Sequence, residues 1–166
     1  MSQITNYLSP ASFDVSIAKF PELEFFTQQI AIPDISSQAA EVVSPLKRLY
    51  NIPDTLVYSP LQFQFIVDEN MKNYTEVLNW LEGMGAPEIR GDQYQRFIRE
   101  NDSFLSDITV IIRNSHKNPN VRFLFKDCFP TSIGTIDLNI ATEDIQYVTC
   151  TAGFAYNGFT VERVEP

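Results

Sequence analysis

LQFQFIVDENMKNYTEVLNWLEGMG, residues 61–85, changes its hydrophobic period partway along, and that change decides the fold. Leu61, Phe63, Phe65 and Val67 alternate with Gln62, Gln64 and Ile66, which gives an extended strand one apolar face. Beyond Asp68 and Glu69 the spacing turns helical: Tyr74, Val77, Leu78 and Leu81 fall at i, i+3, i+4 and i+7. Asn73 stands three residues before Glu76 in a loose capping-box arrangement, and Gly83 and Gly85 are placed to close the helix, so a short amphipathic helix is expected over about 70–84. Trp80 lies off the centre of that stripe. It is read as the anchor packing helix against sheet, together with Tyr74, Leu78 and Leu81.

Outward from this stretch the chain reads as strand. Upstream, SFDVSIAKF (12–20) sets Phe13, Val15 and Ile17 against Asp14 and Ser16, and FFTQQIAIP (25–33) is β-prone until Pro33, which cannot donate to a ladder. Residues 34–60 carry Pro45, Pro53 and Pro60 with only short apolar pieces, and are expected to form a long loop. Downstream, DQYQRFIREN within 86–105 is a weak second helix, and DITVIIRN (107–114) connects through SHKNPN to VRFLFKD (121–127) as a hairpin with a loop longer than two residues. CFPTSIG then reads as a turn, IDLNI as a strand, and IQYVTCTAGFAY (145–156) as a long strand. Asn157-Gly158 between apolar runs is the strongest short hairpin signal. The expected architecture is mainly β: an antiparallel sandwich or barrel in one domain, 1–166, with one flanking helix and a long loop at 34–60.

Composition narrows the chemistry. The chain has 166 residues with 21 acidic and 12 basic side chains, a formal charge of -9 and no basic run, which disfavours tight phosphate-driven nucleic-acid binding. No apolar stretch approaches the roughly 20 residues that span a bilayer, and MSQITNYLSP lacks the pattern of a secretion signal. Cys128 and Cys150 are therefore read as reduced thiols inside strands. His116, the single histidine, falls in a predicted hairpin loop, where a triad or metal site would have to be built around it alone. Neither cysteine has C-x-x-C spacing, and no glycine-rich phosphate loop is present. The carboxylate pairs Asp68–Glu69 and Glu143–Asp144 are sequence neighbours, which sit in turns more often than across a cleft as acid and base. No catalytic residue, cofactor or metal site is expected. A β domain of this kind offers strand edges and long connections instead, and open edges recruit other edges.

Two stretches resemble a known family. FQFIVDENMKNYTEVLNWLEGM (63–84) resembles the middle of tail tube proteins from contractile-tailed, T-even-like phages. FKDCFPTSIGTIDLNIATEDIQYVTCTAGFAY (125–156) is similar to their C-terminal section, with Phe129, Pro130, Thr131, Ser132 and Ile133 at the Pro-containing turn. The resemblance implies a β-barrel-like subunit with a flanking helix, assembled in six-membered rings that stack into the hollow tube of the virion's tail. It also implies assembly in the host cytoplasm and contacts to self, tail sheath and baseplate proteins, with DNA only as a passenger and no membrane. The 34–60 segment resembles in position a loop that reaches a neighbouring ring, which makes Lys47, Arg48 and Asp54 candidates for ring stacking. A baseplate protein that initiates or joins the tube is the alternative within the family, and type VI secretion or phage-derived injection tubes share the pattern. Outside it stand a carbohydrate-binding or enzymatic sandwich presenting Tyr94, Tyr147 and Tyr156, and a nucleic-acid-binding barrel, which the charge disfavours.

Overall fold

The computed structural model describes residues 7–8, 12–20, 27–37, 40–43, 47–51, 55–85, 103–139 and 147–164. Its elements are β1 (Phe13–Ile17), β2 (Thr27–Ala31), β3 (Ile35–Ser37), β4 (Ala40–Val43), β5 (Arg48–Asn51), β6 (Leu56–Tyr58), β7 (Leu61–Ile66), the helix α1 (Lys72–Gly85), β8 (Ser106–Arg113), β9 (Pro119–Ile133), β10 (Thr149–Ala155) and β11 (Gly158–Arg163). The fold is mainly antiparallel β with a single helix among the described residues.

One long strand organises the body. The first part of β9 pairs with β8 on one side and β11 on the other, while its last residues pair with β10. β1 adds to β8, β7 to β10 and β2 to β7, so the order is β1-β8-β9-β10-β7-β2 with β11 beside β9. The corner between the two halves lies at Asp127, whose φ of 55° turns the backbone into the left-handed region. Its N–H donates to Asp107 Oδ1 at 3.2 Å, and its carboxylate accepts from Asn157 Nδ2 at 3.1 Å. Asn157 bends the opposite strand at the same level, and its own N–H donates to the Lys126 carbonyl at 3.2 Å. Asn157-Gly158 is therefore no hairpin turn. β10 and β11 run in one direction along β9 and round the corner with it.

The core fills the space between the two inner faces. Val15, Ile17, Ile108, Val110 and Phe125 from the β1 half meet Leu61, Phe63, Phe65, Ala152 and Phe154 from the β2 half in one buried cluster. Phe63 and Phe154 stack with ring centroids 5.0 Å apart, and Trp80 closes over Phe154 at 5.7 Å. Trp80 is fully buried, donates its indole N–H to the Phe104 carbonyl at 2.8 Å and meets Phe20 at 5.2 Å. It thus satisfies its one polar group inside the core.

The helix is rotated from the expected stripe. Its buried residues are Asn73, Val77, Trp80 and Gly83, whereas Tyr74, Leu78 and Leu81 are half-buried. Trp80 stands at the centre of the packed face, and Gly83 lies inside the helix, which ends at Gly85. Asn73 lies in the first turn of the helix and not ahead of it. Its Nδ2 donates to the Ile66 carbonyl at 2.8 Å and its Oδ1 accepts from Asp68 N at 3.2 Å, tying the helix start to the end of β7.

Further departures follow from pairing that spacing alone does not reveal. CFPTSIG is not a turn: β9 continues through it to Ile133, and Pro130 is accommodated because this end of β9 pairs only with β10. IDLNI shows no strand over 136–139, and β10 begins at Thr149 rather than 145. The 34–60 segment is not an irregular loop. β3 pairs with β6 (Ile35↔Tyr58) and β4 with β5 (Ala40↔Asn51), two nested ladders that form a two-stranded arm. The weak helix expected within 86–105 lies almost wholly outside the described residues.

Candidate functional site

Nothing in the described body assembles reactive groups. No cluster of three potential metal ligands occurs among the described residues, and none of the described helices is long and apolar enough to cross a membrane. His116 is exposed in the β8–β9 turn, where Asn114 Oδ1 accepts from its backbone N–H at 2.9 Å and from that of Asn118 at 3.0 Å. Cys128 and Cys150 are free and buried within strands. Burial pushes the Cys128 thiol up to about 12, and burial also raises that of Cys150, so both stay protonated and unreactive near neutrality. Asp68 and Glu69 sit at the turn between β7 and α1, and Glu143–Asp144 lie outside the described residues. Of the tyrosines weighed as a sugar platform, Tyr94 lies outside the described residues and Tyr147 is exposed. Tyr156 is used internally: its hydroxyl donates to the Ser59 carbonyl at 2.9 Å and its ring meets Phe125 edge-on at 5.0 Å.

The surface offers strand margins. Among the described residues β1, β2 and β11 each pair on one side only, as does the Phe129–Ile133 end of β9. The β2 half is thus open at both margins, β2 and the end of β9. An unpaired margin presents a row of N–H and C=O groups to any strand that can match it.

The arm is rooted by aromatic contacts. Tyr58 meets Tyr156 at 6.1 Å and Phe159 at 6.3 Å, and Ser59 N donates to the Asp34 carbonyl at 3.2 Å. Farther out, Ile35, Leu56 and Val57 are 47, 56 and 51% exposed. Lys47 is exposed beside Arg48, the first residue of β5, which stands opposite Val43. Asp54 lies outside the described residues. Below the arm's class of feature comes one groove of about 520 Å³, floored by Ile66, Val67, Ile136 and Leu138 and edged by Asp68 and Glu69.

The described residues thus form a bent antiparallel body with open strand margins and an exposed two-stranded arm, an architecture that offers surface for assembly. The family model for phage tail tube proteins matches residues 2–162, and the chain belongs to that family. The tail tube terminator protein of Enterobacteria phage T4 is 25% identical over 98% of this chain and 93% of its own length. Among solved structures, the anti-feeding prophage cap, described as its tube-terminating cap, superposes with a TM-score of 0.71 at 12% identity, covering 99% of this chain and 96% of that one. The sheath–tube complex of an extracellular contractile injection system, PVC, in the extended state superposes at 0.69 with 14% identity over 99% of both chains. The fold is therefore that of tail tube proteins.

Proposed function

We propose that this chain is a tail tube terminator: a structural subunit, catalysing no reaction, that forms a six-membered ring at an end of a phage tail tube. The observation that carries this reading is the nearly full-length sequence match to the T4 tail tube terminator. The open margins of the β2 half support it, since copies set edge to edge continue one sheet around a closed ring. The arm supports it as well, because its apolar residues, exposed among the described residues, gain burial against another chain. Lys47, Arg48 and Asp54 then make ring-stacking contacts, the two cations with carboxylates of an adjacent subunit in a chain of net charge -9. The ring belongs to the virion, is assembled in the host cytoplasm, and meets the tube, the sheath and components at the tail's ends, with DNA as a transient passenger.

A second reading, the repeating tube subunit, is favoured by the fold shared with the PVC sheath–tube complex. A third, a baseplate protein that initiates the tube, is favoured by the fold shared with the anti-feeding prophage baseplate, at a TM-score of 0.66. Counting copies per purified particle by quantitative mass spectrometry separates one ring from many. Gold-labelled antibody then locates the ring: label at the end away from the baseplate is expected, label at the baseplate assigns the initiator, and label along the whole tail assigns the tube subunit.

A further inference from the structure

The two outward faces of the body differ in charge. On the β1 half, alternation and register place Asp14, Asp107, Arg113, Arg122, Lys126 and Glu162 outward, with Asp14 and Arg113 paired at 2.5 Å. On the β2 half the outward positions are Gln29, Gln62, Gln64, Thr149, Thr151 and Ser132, with Ala31 and Gly153, and the face ends in apolar positions at Ile66 opposite Thr149 and at Ala155 opposite Phe129. No charged side chain stands at the paired strand positions of this face among the described residues, in a chain with 33 acidic and basic residues; Asp68 and Glu69 lie past the end of β7, beside Ile66. The face is nevertheless wet: Gln29, Gln62, Thr151 and Ser132 are exposed. Its groups bond across strands, with Gln64 Nε2 donating to Thr149 Oγ1 at 2.8 Å.

We infer that this amide-and-hydroxyl face of the β2 half is the wall of the channel, a neutral surface along which duplex DNA passes. The inference rests on the ring reading above and adds to it which face turns inward and by what chemistry. Both halves end in open margins among the described residues, the β1 half at β1 and β11 and the β2 half at β2 and the Phe129–Ile133 end of β9; joining copies through the latter pair carries the neutral face around the ring. A cationic wall would hold a polyanion through counterion release, and an acidic wall would raise the energy of DNA inside. Uncharged amides and hydroxyls do neither. They hold exchangeable water, so DNA slides past without a fixed partner.

The test places a single cation on each face. Gln62→Lys, with Thr151→Lys as the second variant of the same face, is compared with Thr160→Lys on the charged face of the β1 half. Each folded variant is isolated as rings by size, and its retention of linear duplex fragments is measured between 50 and 200 mM salt. If the face lines the channel, six lysines converge on one duplex, and retention falls by about a thousandfold over that range. Thr160→Lys rings, whose lysines point away from one another, lose only about a factor of ten or less. Equal, shallow salt dependence at both faces overturns the inference. So do folded Gln62→Lys and Thr151→Lys subunits that no longer form rings, since those positions would then be buried between subunits. If the unsubstituted protein forms no ring, the ring reading itself fails, an outcome recorded before any DNA is added.

Discussion

The body and the arm are built from the same local structure and stabilised in opposite ways. In β7, alternate side chains disappear into the core: Leu61, Phe63 and Phe65 are almost fully buried while Gln62 stays wet. In the β3–β6 ladder, Leu56, Val57 and Tyr58 are consecutive apolar residues and, with Ile35, remain exposed on both faces. A two-stranded ladder with no covered face is marginal in water, so the arm borrows its order from the Tyr58–Tyr156–Phe159 root. The difference teaches where the chain is complete and where it awaits a partner: substitutions in the body should act on the subunit, and substitutions in the arm on assembly.

The comparison is tested most severely at Trp80. Trp80→Ala removes the ring that covers Phe154 and the indole N–H that donates to the Phe104 carbonyl, and should cost about 3–5 kcal/mol in urea unfolding of the isolated subunit. A loss below about 1 kcal/mol would place the helix outside the cooperative body. Asn73→Ala should cost about 1–3 kcal/mol, because the Ile66 carbonyl and Asp68 N–H lose their buried partner. Its signature is earlier hydrogen exchange over the β7–α1 junction.

At Cys128 the effect depends on pH. The folded-state value is raised to about 12 from an ordinary 9.0, so the unfolded chain releases this proton first, and stability declines as pH rises through 9 towards 12. The slope attributable to this thiol grows from near zero at pH 8 and approaches about 1.4 kcal/mol per pH unit only between the two values. It should be missing from Cys128→Ala in urea titrations at pH 8, 9 and 10.

The smallest effect on the subunit belongs to the arm. Ile35→Ser with Leu56→Ser should shift melting of the subunit by an amount worth about 0.5 kcal/mol or less, and yet abolish incorporation into particles. Lys47→Glu with Arg48→Glu should likewise spare melting and impair stacking, read by negative-stain images of the concentrated protein. Equal loss of melting temperature in arm and body variants would erase the distinction.

Much of the body was legible because one-sided burial stamps a period of two on the sequence. LQFQF and FDVSI display that stamp, and both are strands with their apolar residues inward. The arm was not legible, since a ladder without a covered face has no such stamp, and its prolines look like loop. Asn157-Gly158 misled for a related reason. A bend and a hairpin use the same turn-prone residues, and only the register against β9, which is the same for Ala155 of β10 and Gly158 of β11, tells them apart. Trp80 seemed peripheral because the stripe was drawn through Leu78 and Leu81, whereas the packed face includes a polar residue, Asn73, and a glycine, Gly83. The neutral face was written in plain sight as the glutamines of LQFQF and TQQ. Nothing local marks the absence of charge until register gathers those residues with Thr149 and Thr151.

The shared corner at Asp127 and Asn157 has a mechanical consequence. Because β9 and the β10–β11 pair are unbroken through the bend, a pull on one half reaches the other along covalent backbone, and separating the halves requires shearing a long ladder instead of unzipping it bond by bond. A subunit built this way passes axial load from its margins through its middle without a hinge.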